Sequence, residues 1–398
     1  MNILIVHNYY KLPGGEGIVV ENEKNMLLEN GHNVFLYTRD NKEIDKYSLI
    51  KKIFLPINYL FNLKTYFDIR RIIMANKIDI VHVHNTINII SKSVYYAANS
   101  LNIPIVQTVH NFRLICPNGL LYRNGKYCDD CINNNLLCAI KHKCYRNSIF
   151  ETILSTINFK QFREAKIFKK INFICLSNIN KDKLMQINRI YKNNIIDESK
   201  IFVKPNYTDD KNIFIESNKR NNNFICASRL EDSKGIQDLL TAWKEIKDFD
   251  LLIYGVGPDE EKYKEYIKNN SLKNVFLLGQ IDRNSLIDKM SMAKAVIFPT
   301  HLFESFGLTV IEAYSVGTPA IVPDFGNAGE LVIDGVTGYK YTKNNIEDMR
   351  KTINKINSKK ELYKNALIEY QKRYTKQNNY KQLISIYNSC IERQTKDL

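Results

Sequence analysis

Through residues 1–205 the chain alternates short apolar runs with longer amphipathic ones. Runs rich in Ile and Val at residues 2–7, 33–37, 78–84, 103–109, 173–176 and 200–203 predict strands. Apolar positions at helical spacing predict helices between them, most clearly over 18–30 and 91–99. Continuous apolar strands separated by helices predict a parallel sheet covered on both faces. Right-handed crossovers then make it doubly wound. The pattern breaks near Pro205, and residues 206–223 are polar enough to read as a linker. A second series follows, with strands at 224–228, 251–254, 275–278, 295–298 and 320–322 and helices at 236–246, 260–269, 285–292 and 309–314. The predicted fold class is therefore α/β, with two doubly wound Rossmann-like domains over residues 1–205 and 206–374. A length of 398 residues suits two cores better than one. A last polar helix, about 375–398, is expected to pack back on the first domain. Two such domains facing each other would form a cleft at the carboxyl ends of their strands, where open α/β sheets bind ligands.

Four segments carry candidate chemistry. Glu304-Ser-Phe-Gly-Leu-Thr-Val-Ile-Glu312 follows a predicted strand and runs into a predicted helix. Glu304 belongs to the loop and Glu312 lies one to two turns into the helix. Phe306, Gly307 and Leu308 fall at the helix start, where free N–H groups and the helix dipole favour an anion. Ala227-Ser-Arg229-Leu-Glu-Asp-Ser-Lys234-Gly235 sits between the first strand and first helix of the second domain. Its Arg229 and Lys234 supply the fixed positive charge that a leaving diphosphate needs. Leu12-Pro13-Gly14-Gly15-Glu16-Gly17 follows the first strand. Its glycines permit close backbone approach to a phosphate or an acceptor group, and they equally fit a tight turn. His110 ends a strand of the first domain. Such a histidine is a ligand contact or a satisfied structural residue.

Together these segments resemble the glycosyltransferase family 4 enzymes, retaining transferases of the GT-B fold, over essentially the whole chain. The resemblance is most specific in Glu304–Glu312, which matches the E-x7-E signature, and in Arg229 and Lys234. It implies that Glu304 contacts the donor sugar, Glu312 the ribose hydroxyls, and Arg229 and Lys234 the diphosphate. It further implies that His110 lies near the donor sugar, that Gly14 and Gly15 form the N-terminal glycine loop, and that Gly279 and Ile281 belong to the loop receiving the base. The implied reaction needs no metal. A hexose or N-acetylhexosamine leaves a nucleotide diphosphate, with uridine the expected base, and transfers with retention to a glycan or polyprenyl-diphosphate-linked acceptor of surface polysaccharide or capsule synthesis. A double displacement through a carboxylate nucleophile is open at this stage.

Composition and charge add partners. A hydrophobic fraction of 44% and a charged fraction of 25% exclude a disordered chain. Residues 51–200 hold 23 Lys and Arg against 9 Asp and Glu, so most of the net charge of +15 sits in one stretch. That stretch suits an anionic partner, whether phospholipid headgroups, a lipid-linked diphosphate or nucleic acid, and it equally fits a Lys-rich solvated surface. Residues 51–64 and 159–173 mix basic and aromatic side chains, as an interfacial helix does or as an ordinary helix packed on a sheet does. No nucleic-acid-binding signature accompanies the charge, so no nucleic-acid partner is expected. The first residues lack a basic region ahead of their apolar run, and no segment reaches membrane-spanning length. The expected location is cytoplasmic, peripheral at the inner face of the cell membrane. Cys116, Cys128, Cys131, Cys138 and Cys144, with His142 beside the last, crowd an insertion at about 113–145. They are a candidate structural zinc site or free thiols, and the insertion resembles that of cysteine-bearing polysaccharide-assembly transferases. No cofactor is expected for catalysis. Competing readings are a GT-B-fold nucleotide-sugar epimerase and a basic nucleic-acid-binding module.

Overall fold

The structure is a computed structural model that describes residues 1–11, 14–191, 194–211 and 213–396. Leu12 and Pro13 of the glycine segment lie outside the described residues. The chain divides into two compact units. The first gathers Met1–Leu120, Asp129–Pro205 and Asn379–Leu398, and the second Leu121–Cys128 and Asn206–Asn378.

The first unit is built on β1 (Asn2–Tyr9), β2 (Asn33–Asp40), β3 (Ile80–Asn85) and β4 (Ile105–Val109). After the short antiparallel hairpin β5 (Tyr122–Arg123) and β6 (Lys126–Tyr127), the strands β7 (Ile171–Cys175) and β8 (Ile201–Val203) complete the sheet. Its order is β2-β1-β3-β4-β7-β8, and every pairing is parallel. Residues 3–6, 80–85 and 171–175 are buried throughout, because helices cover both faces. The order in which strands are added reverses at β1, so the gap between β1 and β3 is the switch point of this sheet. The register between these two strands slips at Val6/His7. That irregularity sits where the functional side chains emerge.

The helix Lys376–Lys396 contributes side chains to the first unit. Tyr387 Oη lies 2.6 Å from His82 Nδ1, and Asn379 Nδ2 donates to the Pro205 carbonyl at 2.6 Å. Tyr380 Oη meets His32 Nε2 at 2.9 Å.

The second unit contains β9 (Asn223–Ala227), β10 (Asp250–Tyr254), β11 (Val275–Leu277), β12 (Ala295–Ile297), β13 (Ala320–Pro323) and β14 (Gly338–Tyr341). Their order is β11-β10-β9-β12-β13-β14, again all parallel, with the switch point between β9 and β12. Phe224 anchors one face, edge-on to Trp243 at 5.6 Å and to Phe249 at 5.2 Å. β14 has no counterpart among the predicted strands, since Gly-Tyr-Lys-Tyr is too short to show a period.

Three expectations are corrected. Residues 206–223 are not a free linker: Asn206, Tyr207 and Thr208 are buried, and Tyr370 Oη donates to the Thr208 carbonyl at 2.9 Å. Arg220 is buried too, donating to the carbonyls of Ile215, Ala293, Val316 and Gly317 and stacking on Tyr363. A polar sequence hid a docked segment because its polar groups are satisfied internally. The insertion 113–145 is not one piece of the first domain, since residues 121–128 group with the second unit. Residues 159–173 do not offer an interfacial apolar face, for Phe159, Phe162, Ile167, Phe168, Ile171 and Phe173 are all core.

The exposed apolar surface lies elsewhere. The two short helices Leu49–Ile53 and Leu55–Leu60 leave Leu49 80%, Ile50 68% and Ile53 72% exposed. Phe54 and Ile57 join them, as do Ile149 and Phe150 at the start of the helix Ile149–Glu164. A groove with a cavity volume of about 320 Å³ runs beside them, lined by Leu55, Pro56, Tyr59, Phe150 and Leu154 together with Lys52 and Arg146. No helix among the described residues is long and apolar enough to cross a membrane.

Candidate active site

In the second unit the side chains singled out from the sequence collect at the carboxyl ends of strands around the β9/β12 switch point. Ser228 to Lys234 follow β9, and Thr300 to Glu304 follow β12. Gly235, at φ +68°, sits where a Cβ would meet the Pro299 carbonyl oxygen at 1.9 Å. Only glycine lets the two loops approach this closely. The approach brings Lys234 Nζ to 2.7 Å from Glu304 Oε1, which also accepts from Thr300 Oγ1 at 2.8 Å. Asn327 Nδ2 donates to the Glu304 carbonyl. Both members of the Lys234–Glu304 pair are mostly shielded, at 18% and 16% exposed, so this is a positioned pair rather than a surface contact. Arg229 is half exposed and only loosely paired with Glu231 at 3.4 Å, which leaves its guanidinium able to meet an anion.

The helix Leu308–Tyr314 begins one residue later than Gly307, which caps it at φ +143°. A Cβ at Gly307 would meet Leu331 Cδ1 at 2.8 Å, so the turn into the helix demands glycine. The Phe306 side chain is core, edge-on to Tyr374, so any contribution to a ligand comes from its backbone. Glu312 lies within the helix and is 7% exposed. Arg283 Nε donates to its Oε1 at 2.6 Å, and Arg283 also donates to Thr208 Oγ1 at 2.8 Å. No local pattern marks Arg283, which is 29 residues away from Glu312. Gly279 follows β11 at φ +69° and its carbonyl accepts from Gly255 N. Ile281 is partly buried against the apolar cluster that contains Ile287 and Met290. The hairpin β5/β6 adds Tyr127, which meets Phe303 at 5.4 Å and Phe325 at 5.6 Å, so an aromatic cluster supports the residue preceding Glu304.

In the first unit the switch point holds a buried polar cluster. His7 leaves β1, His82 and His84 leave β3, and His110 follows β4. All four are at most 8% exposed. His84 Nδ1 and His110 Nε2 share a hydrogen bond of 2.8 Å. His110 lines a pocket with Asn85, Gln107, Asn111 and Arg113, whose cavity volume of about 50 Å³ admits a hydroxyl group or a water rather than a whole sugar. Burial holds His110 well below its ordinary value, with His84 adding to the effect. Burial likewise lowers His7 to about 3 and His82 to about 4. Gly14 and Gly15 open the helix Gly15–Glu29, with Gly14 at its N-cap. The next residue, Glu16, stands in the first turn of that helix. Burial raises its carboxyl to about 8, against the opposing pull of Arg113 and an Asn111 hydrogen bond. Arg113 is fixed in turn by Tyr10, at 2.7 Å.

Glu23, His82 and His84 bring three donor atoms within 4.8 Å of one another. Their arrangement is better explained without an ion. Lys204 Nζ is 3.3 Å from Glu23 Oε2, equally buried, and already neutralises the carboxylate. Of the cysteines, Cys131, Cys138 and Cys144 pack together with Leu136 and Ala139, while Cys116 Sγ donates to Asn118 Oδ1 at 3.0 Å. Cys128 follows the hairpin β5/β6.

Residues 208–390 match the family described as glycosyl transferases group 1, and residues 13–129 match the glycosyltransferase family 4 description. An uncharacterised glycosyltransferase of Methanocaldococcus jannaschii is 24% identical over 399 residues, covering 96% of each chain. The capsular polysaccharide biosynthesis glycosyltransferase CapM of Staphylococcus aureus is 24% identical over 264 residues, 60% of this chain and 68% of its own. The crystal structure of HepE from Anabaena in complex with UDP superimposes with a TM-score of 0.64 at 16% identity, covering 98% of this chain and 100% of that one.

The buried Glu16 carboxyl gives a stability prediction. An ordinary glutamate ionises near 4.5, whereas this one does so at about 8. Between those values the folded chain retains a proton that the unfolded chain releases, so stability falls as pH rises through that window. Glu16→Gln is therefore expected to gain thermal stability relative to the parent chain as pH rises from about 5 to about 9. A Tm difference that stays constant over that range would contradict the assignment.

Proposed function

The chain belongs to the family 4 glycosyltransferases of the GT-B fold, with polysaccharide-assembly transferases among its relatives, and from that premise we propose that it moves a hexose or N-acetylhexosamine from a UDP-sugar to a lipid-linked or glycan acceptor with retention at the anomeric carbon. The observation that carries this reading is the pair of contacts Lys234–Glu304 and Arg283–Glu312 at the β9/β12 switch point. In this reading Glu312 holds the ribose hydroxyls, and Gly279 and Ile281 border the base. Arg229, Lys234 and the backbone of Phe306, Gly307 and Leu308 stabilise the departing diphosphate. Glu304 orients the donor sugar, and Lys234 is shared between it and the phosphate. Gly14, Gly15 and His110 take up sugar or acceptor hydroxyls. The bond from the anomeric carbon to the diphosphate oxygen breaks, and the acceptor oxygen bonds to that carbon on the same face. The acceptor proton passes to the leaving phosphate oxygen. No residue is required as a nucleophile and no metal is assigned a step. That HepE binds UDP supports uridine as the base.

The acceptor is assigned to a membrane surface. Leu49, Ile50, Ile53, Phe54 and Ile57 form an apolar patch interspersed with Lys51 and Lys52, a combination suited to anionic lipid headgroups. The groove lined by Leu55, Phe150 and Leu154 is apolar enough for a polyprenyl chain, with Lys52 available to its diphosphate, while Arg146 is paired with Glu151 of the same groove at 3.4 Å. A structural zinc held by the thiols of Cys116, Cys131, Cys138 and Cys144 is also proposed, supported by the packing of Cys131, Cys138 and Cys144 in one cluster, and binding would draw together thiols that are not grouped within 4.8 Å as they stand.

Thermal unfolding with UDP, GDP and ADP tests the donor site. A ligand at roughly 100 times its Kd adds about 2.7 kcal/mol, so UDP should raise Tm by a few degrees in the parent chain and not in Glu312→Ala. If none of the three nucleotides stabilises the folded chain, the transferase reading fails. Sedimentation with phosphatidylglycerol vesicles tests the membrane face. Ile50→Glu with Ile53→Glu is expected to weaken binding at least about 10-fold, and raised salt to weaken the parent. Equal binding by the variant would remove this face from the account. Elemental analysis of chain purified without affinity metals should find zinc near one equivalent, and a chelator should lower Tm; a zinc-free chain of unchanged Tm would leave the cysteines as thiols.

A further inference from the structure

A line of buried polar groups leads from the core of the first unit to its pocket. Glu23, on the helix Gly15–Glu29, is 1% exposed. Its Oε2 meets Lys204 Nζ at 3.3 Å, and its Oε1 lies 2.8 Å from His82 Nδ1 and 3.4 Å from His84 Nε2. Lys204 is held from its other side by Asn379 Oδ1 at 3.0 Å. Burial opposes ionisation of Glu23, but the Lys204 ammonium and the two histidines outweigh it and keep the carboxyl well below its ordinary value. The carboxylate is thus a fixed negative charge, accepting from Lys204 through Oε2 and in ionic contact with both rings through Oε1.

That charge determines where protons sit further along. His84 Nε2 faces the carboxylate at 3.4 Å, an ionic contact rather than a made hydrogen bond, and a ring lone pair there would be repelled by the negative charge, which favours the hydrogen on Nε2 and the lone pair on Nδ1. Nδ1 of His84 is the atom that meets His110 Nε2 at 2.8 Å. His110 must therefore donate from Nε2, which leaves its Nδ1 as an acceptor. No partner for His110 Nδ1 is present among the described residues, and the ring lines the pocket with Asn85, Asn111 and Gln107. The strand register gives the relay its spacing, since His84 and His110 stand at the ends of the adjacent parallel strands β3 and β4, with rings 5.1 Å apart and 20° from coplanar.

We propose that Glu23 and His84 are positioning residues that lock His110 in its Nε2–H form, so that His110 Nδ1 accepts a hydrogen bond from a sugar hydroxyl entering the pocket. The ligand class rests on the transferase reading, while the locked tautomer does not. Neither Glu23 nor His84 was singled out from the sequence, and neither touches the ligand in this account. The arrangement is that of an orienting carboxylate behind a histidine, extended by one more ring.

The test is nitrogen-15 NMR of the full chain labelled at histidine, without nucleotide, at neutral pH. With seven histidines, the His110 signals are assigned by their loss in His110→Gln. His110 is expected to be neutral with its proton on Nε2. A proton on Nδ1, or a charged ring, overturns the proposal. His84→Phe removes the acceptor while leaving Glu23 paired with Lys204, and is expected to abolish the single Nε2–H form. Glu23→Gln combined with Lys204→Met, which avoids stranding a buried ammonium, should loosen the preference in the same way. If His110 remains wholly Nε2–H in both folded variants, the relay does not set its tautomer. UDP-dependent stabilisation is measured on the same samples. Its absence would count against the donor reading, whereas the tautomer result stands independently of it.

Discussion

Both sheets are parallel and covered on two faces, and this burial confines chemistry to the strand ends. Along β1, β3, β7 and β13 nearly every side chain is shielded, so a polar group there needs an internal partner or a costly desolvation. At the carboxyl ends the requirement relaxes. Arg229 and Lys234 after β9, Glu304 after β12, and His110 after β4 all stand at such positions. The reversal of strand order in each sheet opens the space they occupy.

The two units use that space differently. In the second, opposite charges are paired at hydrogen-bond distance yet keep some exposure, as in Lys234–Glu304. Such pairs hold side chains in place without a ligand and leave them able to exchange partners for a diphosphate or a sugar hydroxyl. In the first, the charges are sealed. Glu23 and Lys204 have almost no exposure, and the helix Lys376–Lys396 closes over them through Asn379 and Tyr387. Removing one partner of such a pair leaves an uncompensated buried charge, a loss of about 3–5 kcal/mol. The hub therefore ties the last helix of the chain to the histidines at the pocket.

The exposed apolar helices Leu49–Ile53 and Leu55–Leu60 contrast with these economical interiors. Residues 159–173, of similar composition, turned inward because their phenylalanines fit the space beside β7. Composition was the same in kind, and packing decided which stretch faces out. The five clustered cysteines show the same division, since their spacing drew attention to them while their grouping depended on how the insertion divides between the units.

From the sequence alone, the periodicity of apolar runs determined the doubly wound class and nearly all of the strands, and the Glu304–Glu312 segment with Arg229 and Lys234 carried the resemblance to the glycosyltransferase family 4 enzymes. These are legible because they depend on local pattern: burial of a parallel strand demands a continuous apolar run, and a loop-to-helix turn demands its glycine. Only the tertiary structure decided that Arg283 braces Glu312, that Arg220 buries the stretch expected to be a linker, and that Glu23, His84 and His110 form one line. Those contacts join residues 26 to 73 positions apart, from His84 with His110 to Arg220 with Ala293. No local period encodes such a meeting, because it follows from which strands become neighbours when the chain folds.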